Sequence, residues 1–213
     1  MRTWTVPGYT EVGSVGRLMV ATHIGTGVRV TIRYLARERY RDKARRLADL
    51  DSPYVVGLYE YVETADGAAT VEEYVDGVAL PSLLARGRLG PELVLTVLKG
   101  VLLGLVAANA MGAGGGFVAS EVLIDRAGHV KLATCFGTDE ATDAFSALRP
   151  YLPDRLPKPL RPLESLAAAG DVDALLTGLD AAAVAAWGSG WEATGREQLA
   201  RAVARVSRAR ENG

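Results

Sequence analysis

Apolar and polar positions along this chain change their rhythm once. In the first third the apolar runs are short and rich in β-branched and aromatic residues, which favour strands. Leu18-Met19-Val20 and the run Val28 to Leu35 flank a hairpin-like turn, Gly25-Thr26-Gly27. Residues 37–50 then read as a helix: Tyr40, Ala44, Leu47 and Ala48 share one face, and Arg37, Arg39, Lys43, Arg45 and Arg46 make the other face basic. Asp51-Ser52-Pro53 ends it, because a proline drives the residue before it out of helical geometry. Two more strands are expected at 55–62 and 68–74, around the turn Ala65-Asp66-Gly67.

Beyond Val75-Asp76-Gly77 the texture becomes helical. Leu80 to Arg86 and Pro91 to Ala110 are expected helices, with Pro91 suited to a first turn. A short strand pair, 122–124 and 129–132, is expected around Arg126-Ala127-Gly128. Five prolines between residues 149 and 163 predict an irregular connection. Helices resume at 172–187 and 191–210, where Leu199, Val203 and Val206 line one side and Arg201, Arg205 and Arg208 the other. Strands followed by helices predict an α+β chain of two lobes, residues 1–76 and 77–213, hinged near Val75 to Leu80.

Composition narrows the chemistry. A formal net charge of −1 gives no field that steers the chain toward nucleic acid or an acidic membrane. No charge occurs between Lys99 and Glu121, and a membrane span needs about 20 apolar residues. Gly112, Gly114, Gly115 and Gly116 interrupt the second half, so a buried helix running into a glycine loop is expected instead of a span. The lone Cys135 suits a reducing compartment, and the N-terminus has no long apolar run, so a cytoplasmic protein is expected. His23 and His129 are the only imidazoles, too few for a histidine metal centre or a triad.

Several phrases resemble eukaryotic-type Ser/Thr protein kinases of bacteria, the actinobacterial ones in particular. Pro7-Gly8-Tyr9, Val30-Thr31-Ile32-Arg33 and Leu50 to Val56 are similar to the small lobe. Glu73 to Leu80 is similar to the hinge, Asn109-Ala110-Met111-Gly112 to the approach to the catalytic loop, and Val122 to Asp125 with Lys131-Leu132 to the strands beside it. The resemblance covers about residues 7–137, and Pro159 to Leu163 and Trp191 to Arg196 echo the far end of such kinases. It implies a protein-kinase-like fold with a β-rich small lobe and a reduced, mostly helical large lobe.

The residues that do the family's chemistry depart from it. The Gly-rich loop that covers the phosphates is reduced to Gly13 and Gly16. Arg33 stands where the phosphate-binding Lys belongs, and the helix position of its Glu partner falls near Lys43, a like charge. Gly114-Gly115-Gly116-Phe117 replaces H-R-D, and the metal-holding Asn falls near Glu121 or Val122. Cys135-Phe136-Gly137 stands where D-F-G belongs, and a thiol is a poor ligand for magnesium. No A-P-E follows.

The resemblance therefore implies a pseudokinase: not an enzyme, without cofactor or metal, acting as a regulatory or scaffolding subunit. The expected partner is another protein or peptide, with a homodimer as alternative, and neither nucleic acid nor a membrane span. Apolar surface left by the shortened large lobe would be covered by such a partner. The competing reading is an atypical ATP-dependent phosphotransferase or nucleotide-binding protein with Glu121, Asp125 and Asp139 recruited to a metal. Gly13, Gly16, Arg33, Glu72, Tyr74, Cys135, Phe136 and Gly137 are the expected remnants of the nucleotide pocket; Arg37, Arg39, Lys43 and Arg46 are the candidate partner surface, unless they form a solvated face eased by an Asp42–Arg46 pair. Arg33 and Glu72 are expected to pair and plug the pocket.

Overall fold

A computed structural model describes residues 4–15, 18–35, 40–87, 89–113, 118–133 and 144–211. The chain is α+β. Its first half is an antiparallel sheet of five strands, β1 (Tyr9–Val15), β2 (Leu18–His23), β3 (Arg29–Leu35), β4 (Leu58–Glu63) and β5 (Ala68–Glu73), in the order β1-β2-β3-β5-β4. Alternation along the strands buries Val30 and Ile32 of β3 and Ala69 and Val71 of β5, which pack with Val6 and Ala21. Helix α1 (Arg41–Ala48) lies against β4 and buries Ala44 and Leu47; Ala48, expected on the same face, is exposed. Residues 55–57, expected in a strand, instead run beside the second sheet, where Val56 N–H donates to Leu132 O at 2.9 Å and Leu132 N–H to Tyr54 O at 2.8 Å.

That second sheet has three strands, β6 (Gly77–Ala79), β7 (Val122–Asp125) and β8 (Val130–Leu132), in sequence order. Pattern reading misses β6 because it is short and opens on Gly77, where a Cβ would lie 1.9 Å from Ile124 O. Helix α2 (Leu80–Leu84) follows directly, then α3 (Pro91–Ala110), α4 (Ala144–Leu148), α5 (Pro162–Ala168), α6 (Val172–Trp187) and α7 (Trp191–Glu211). The proline-rich connection is less irregular than expected: it holds two 3-10 turns, and Pro162 starts α5, where a missing N–H is harmless.

α3 is the axis of the helical half. It is long and apolar enough to cross a membrane, yet 61% of its most apolar window is buried among the other elements. Leu95, Leu98 and Val101 are fully enclosed, with Leu179, Leu199 and Val203 from α6 and α7. A third small core, Ala44, Leu47, Leu58, Ala108 and Ala113, joins α1 and β4 to the end of α3. The two halves are thus packed together along α1, the 53–56 segment and β8.

Candidate functional site

β3 and β5 run antiparallel with Arg33 opposite Thr70 and Thr31 opposite Glu72. Arg33 and Glu72 are therefore diagonal neighbours on one face, close enough for long side chains to meet. Arg33 Nε donates to Glu72 Oε1 at 3.2 Å, which is the pair expected from the sequence. Thr70, two positions before Glu72 and hence on the same face, donates its hydroxyl to the same oxygen at 2.6 Å. Glu72 is fully buried, and its Oε2 has no hydrogen-bond partner among the described residues.

The rest of the guanidinium crosses to the other half of the molecule. Nη1 donates to Glu121 Oε1 at 3.0 Å and Nη2 to Glu121 Oε2 at 2.8 Å, a two-pronged pair that a planar fork makes and an ammonium cannot. Glu121 ends a 3-10 turn, Ala119–Glu121, just ahead of β7, and its carbonyl accepts Ala133 N–H at 2.6 Å. The carboxylate is thereby fixed to the second sheet. Burial works against the charge of Arg33, but the Glu72 and Glu121 carboxylates outweigh it and raise its pKa above the usual arginine range. A guanidinium enclosed by two carboxylates stays charged, and removing it would leave buried Glu72 unmatched.

Sequence reasoning located Arg33 and Glu72 but missed Glu121 as their third member. Nothing local marks it: Glu121 is 88 positions from Arg33 and was placed only near a metal-holding position. Thr70 was legible in principle, because a polar residue two before a buried Glu shares its strand face.

The other expected site residues fall elsewhere. Gly13 is in neither a tight turn nor a loop: it lies inside β1 and pairs with Val20 beside a register shift between Glu11 and Gly13. Tyr74, just past β5, stacks under the Arg29 guanidinium, 5.1 Å from the ring centre. Lys43 is half-buried on α1, and α1 gives Arg33 no partner. Arg46 reaches across to Gly112 O at 3.0 Å, tying α1 to the end of α3; toward Asp42 it uses the backbone carbonyl, at 3.3 Å, instead of the expected carboxylate. Gly16, Arg37, Arg39, Cys135, Phe136, Gly137 and Asp139 lie outside the described residues.

Recruitment of Glu121 and Asp125 to one metal does not fit the structure. Glu121 holds Arg33, and Asp125 closes its own turn: Oδ1 accepts Ala127 and His129 N–H at 2.9 and 2.8 Å, and Oδ2 lies 2.9 Å from His129 Nδ1. Among the described residues no group of three or more His, Cys, Asp or Glu side chains is arranged to hold a metal ion.

Known proteins similar to this chain are bacterial Ser/Thr protein kinases, matched over part of its length. The serine/threonine-protein kinase PknL of Mycobacterium tuberculosis is 37% identical over 110 residues, 51% of this chain and 27% of that protein. The serine/threonine-protein kinase pkn2 of Myxococcus xanthus is 28% identical over 109 residues, 47% of this chain and 13% of the kinase. The match named serine/threonine-protein kinases drp72, from Corynebacterium efficiens, is 38% identical over 80 residues, 35% and 15% of the two chains. The matched part is thus well under a third of the length of these relatives. No protein-family model matches the chain. These similarities support the kinase-like reading and correct one expectation: relatives named as protein kinases point to an enzyme, against the reading of a chain with no enzymatic activity.

Proposed function

We propose that this chain is a kinase-like regulatory module that binds another protein or peptide, with its interlobe cleft latched by Arg33. The two-pronged Arg33–Glu121 pair, backed by buried Glu72, carries this reading. In the resemblance described above, Arg33 stands at the phosphate-binding position and Glu121 near the metal-holding one. Here these two groups engage each other across the cleft, so a nucleotide must break their pair before it meets either. Joined halves also present one fixed outer surface, which favours recognition of a partner.

A second reading is favoured by the named kinases among the relatives. In it the latch opens, Arg33 turns to the phosphates, and the chain is a nucleotide-dependent phosphotransferase.

Thermal unfolding with millimolar ATP and magnesium or manganese separates the two, because a ligand of the folded state raises its melting temperature. The latched reading expects no rise for the natural chain and a rise for Glu121→Gln, in which Arg33 loses its charged partner in the second half and keeps only Glu72. A rise of several degrees in the natural chain overturns the latch and supports the second reading. For the binding role, the tagged chain isolated from its own cells should retain one companion in equal amount. A chain that comes through alone overturns that role.

A further inference from the structure

α3, β8 and α7 enclose a half-open cavity of about 380 Å3 whose lining includes none of Arg33, Glu72 and Glu121. Three glycines draw the surrounding elements together. A Cβ on Gly100 of α3 would lie 2.6 Å from Val130 Cβ, so glycine lets β8 approach the helix. A Cβ on Gly195 of α7 would lie 2.0 Å from Thr96 Oγ1, so glycine brings α7 onto α3. Gly128 has φ +84° and sits 2.2 Å, by the same measure, from Arg196 O, which fastens the β7–β8 turn to α7.

The walls differ in character. Pro53, Tyr54 and Val130 supply an apolar side. Lys99, Lys131 and Arg196 supply three positive charges, of which the two lysines are offset by Glu192 in the lining and by Asp180 and Glu73 beside it. Lys99 is held by Asp180 at 2.9 Å and Glu192 at 2.7 Å, and Lys131 by Glu73 at 2.6 Å. Arg196 has no ion-pair or hydrogen-bond partner among the described residues, although it lines the same cavity. His129 completes the polar wall: its Nδ1 is held by Asp125 Oδ2 at 2.9 Å, which leaves Nε2 of a cavity-lining ring unengaged.

An unpaired guanidinium beside an apolar wall forms a recognition set for an anionic group on a hydrophobic body. The volume falls at the low end of the range for small-molecule sites, roughly 300–1,000 Å3. We propose that this cavity is a binding site for a small organic anion, its phosphate or carboxylate on Arg196 and its apolar part on Tyr54, Pro53 and Val130, with the His129 ring beside it as reporter. The site is separate from the latched cleft and does not depend on what that cleft binds.

The two histidines of the chain make the test direct. His23 lies at the end of β2, hydrogen-bonded with Thr26, far from this cavity, and serves as internal reference. Phenyl phosphate, benzoate and neutral phenol are titrated at fixed pH, with the two imidazole Cε1–H proton signals followed by NMR and assigned through His129→Gln. The expected result is a saturable shift of the His129 signal with phenyl phosphate or benzoate, the tighter of the two naming the anionic group, while His23 and the phenol titration stay flat. Arg196→Met should weaken binding about tenfold or more, and Arg196→Lys less, with unchanged thermal midpoints. No saturable shift, equal movement of both histidines, equal binding of phenol, or undiminished binding by a folded Arg196→Met overturns the proposal.

Discussion

Lys131 Nζ lies 2.6 and 2.7 Å from the two carboxylate oxygens of Glu73, and Glu73 Oε2 also accepts the N–H of Gly57 at 3.1 Å. One carboxylate at the end of β5 thus joins β8 in the helical half to the segment that precedes β4. Replacing Lys131 by Met should lower unfolding stability by about 1 kcal/mol, since the pair is partly exposed. Urea denaturation checks this. An unchanged midpoint would reduce the contact to a surface pairing of no energetic weight.

Arg33 and Glu72 should behave as a unit. Arg33→Met leaves Glu72 buried without its cation and should cost roughly 3–5 kcal/mol. Arg33→Met with Glu72→Leu removes the buried pair, leaves the less buried Glu121 without its cation, and should recover part of that loss. A double-mutant cycle in urea measures the coupling. A single-variant cost below about 1 kcal/mol would show that Glu72 is solvated in solution.

Gly128 and Gly170 separate backbone strain from crowding. Both have positive φ, +84° and +73°. A Cβ at Gly170 meets nothing within 4 Å, whereas one at Gly128 meets Arg196 O at 2.2 Å. Gly170→Ala should cost about 1–2 kcal/mol, the conformational part alone. Gly128→Ala should cost clearly more, and equal losses in thermal unfolding would disprove the close approach of the turn to α7.

Stability should fall on the alkaline side. Burial pulls the Lys99 pKa down, but its hydrogen bonds and charge pairing with Glu192 and Asp180 outweigh this and raise it. Burial raises the Tyr9 and Tyr61 phenols, with help from Glu60 and Glu63. In each case the folded chain keeps its proton after the unfolded chain has lost it. Stability is therefore fully present below the unfolded values, about 10, and declines as pH rises through the folded ones. Denaturation between pH 8 and 11 should show this decline, shallower in Lys99→Met. A flat profile would contradict the pairing of Lys99.

Much of the fold is legible along the chain because its causes are local. Runs of β-branched and apolar residues mark β3 and β5, Pro91 marks the start of α3, and Gly25 to Gly27 marks the turn after β2. The misses have local causes as well. β6 is three residues long, too short for a period to show, and Pro162 looks like a breaker until its place at the first turn of α5 is known. For the site, the family resemblance places Arg33 and Glu72 on neighbouring strands, and the register of β3 and β5 puts them on one face.

By itself the order of residues settles the α+β arrangement and the buried character of α3, since each follows from side-chain spacing over a few positions; the Arg33–Glu72 pair, 39 positions apart, is expected only through the family resemblance. Only the tertiary structure decides that Arg33 is shared with Glu121 and that Gly100, Gly128 and Gly195 let α3, β8 and α7 close around a cavity lined by Arg196. Those contacts join segments far apart in the chain. They exist only when two separately encoded surfaces are brought to hydrogen-bonding or van der Waals distance, and that distance is set by the packing of the two halves.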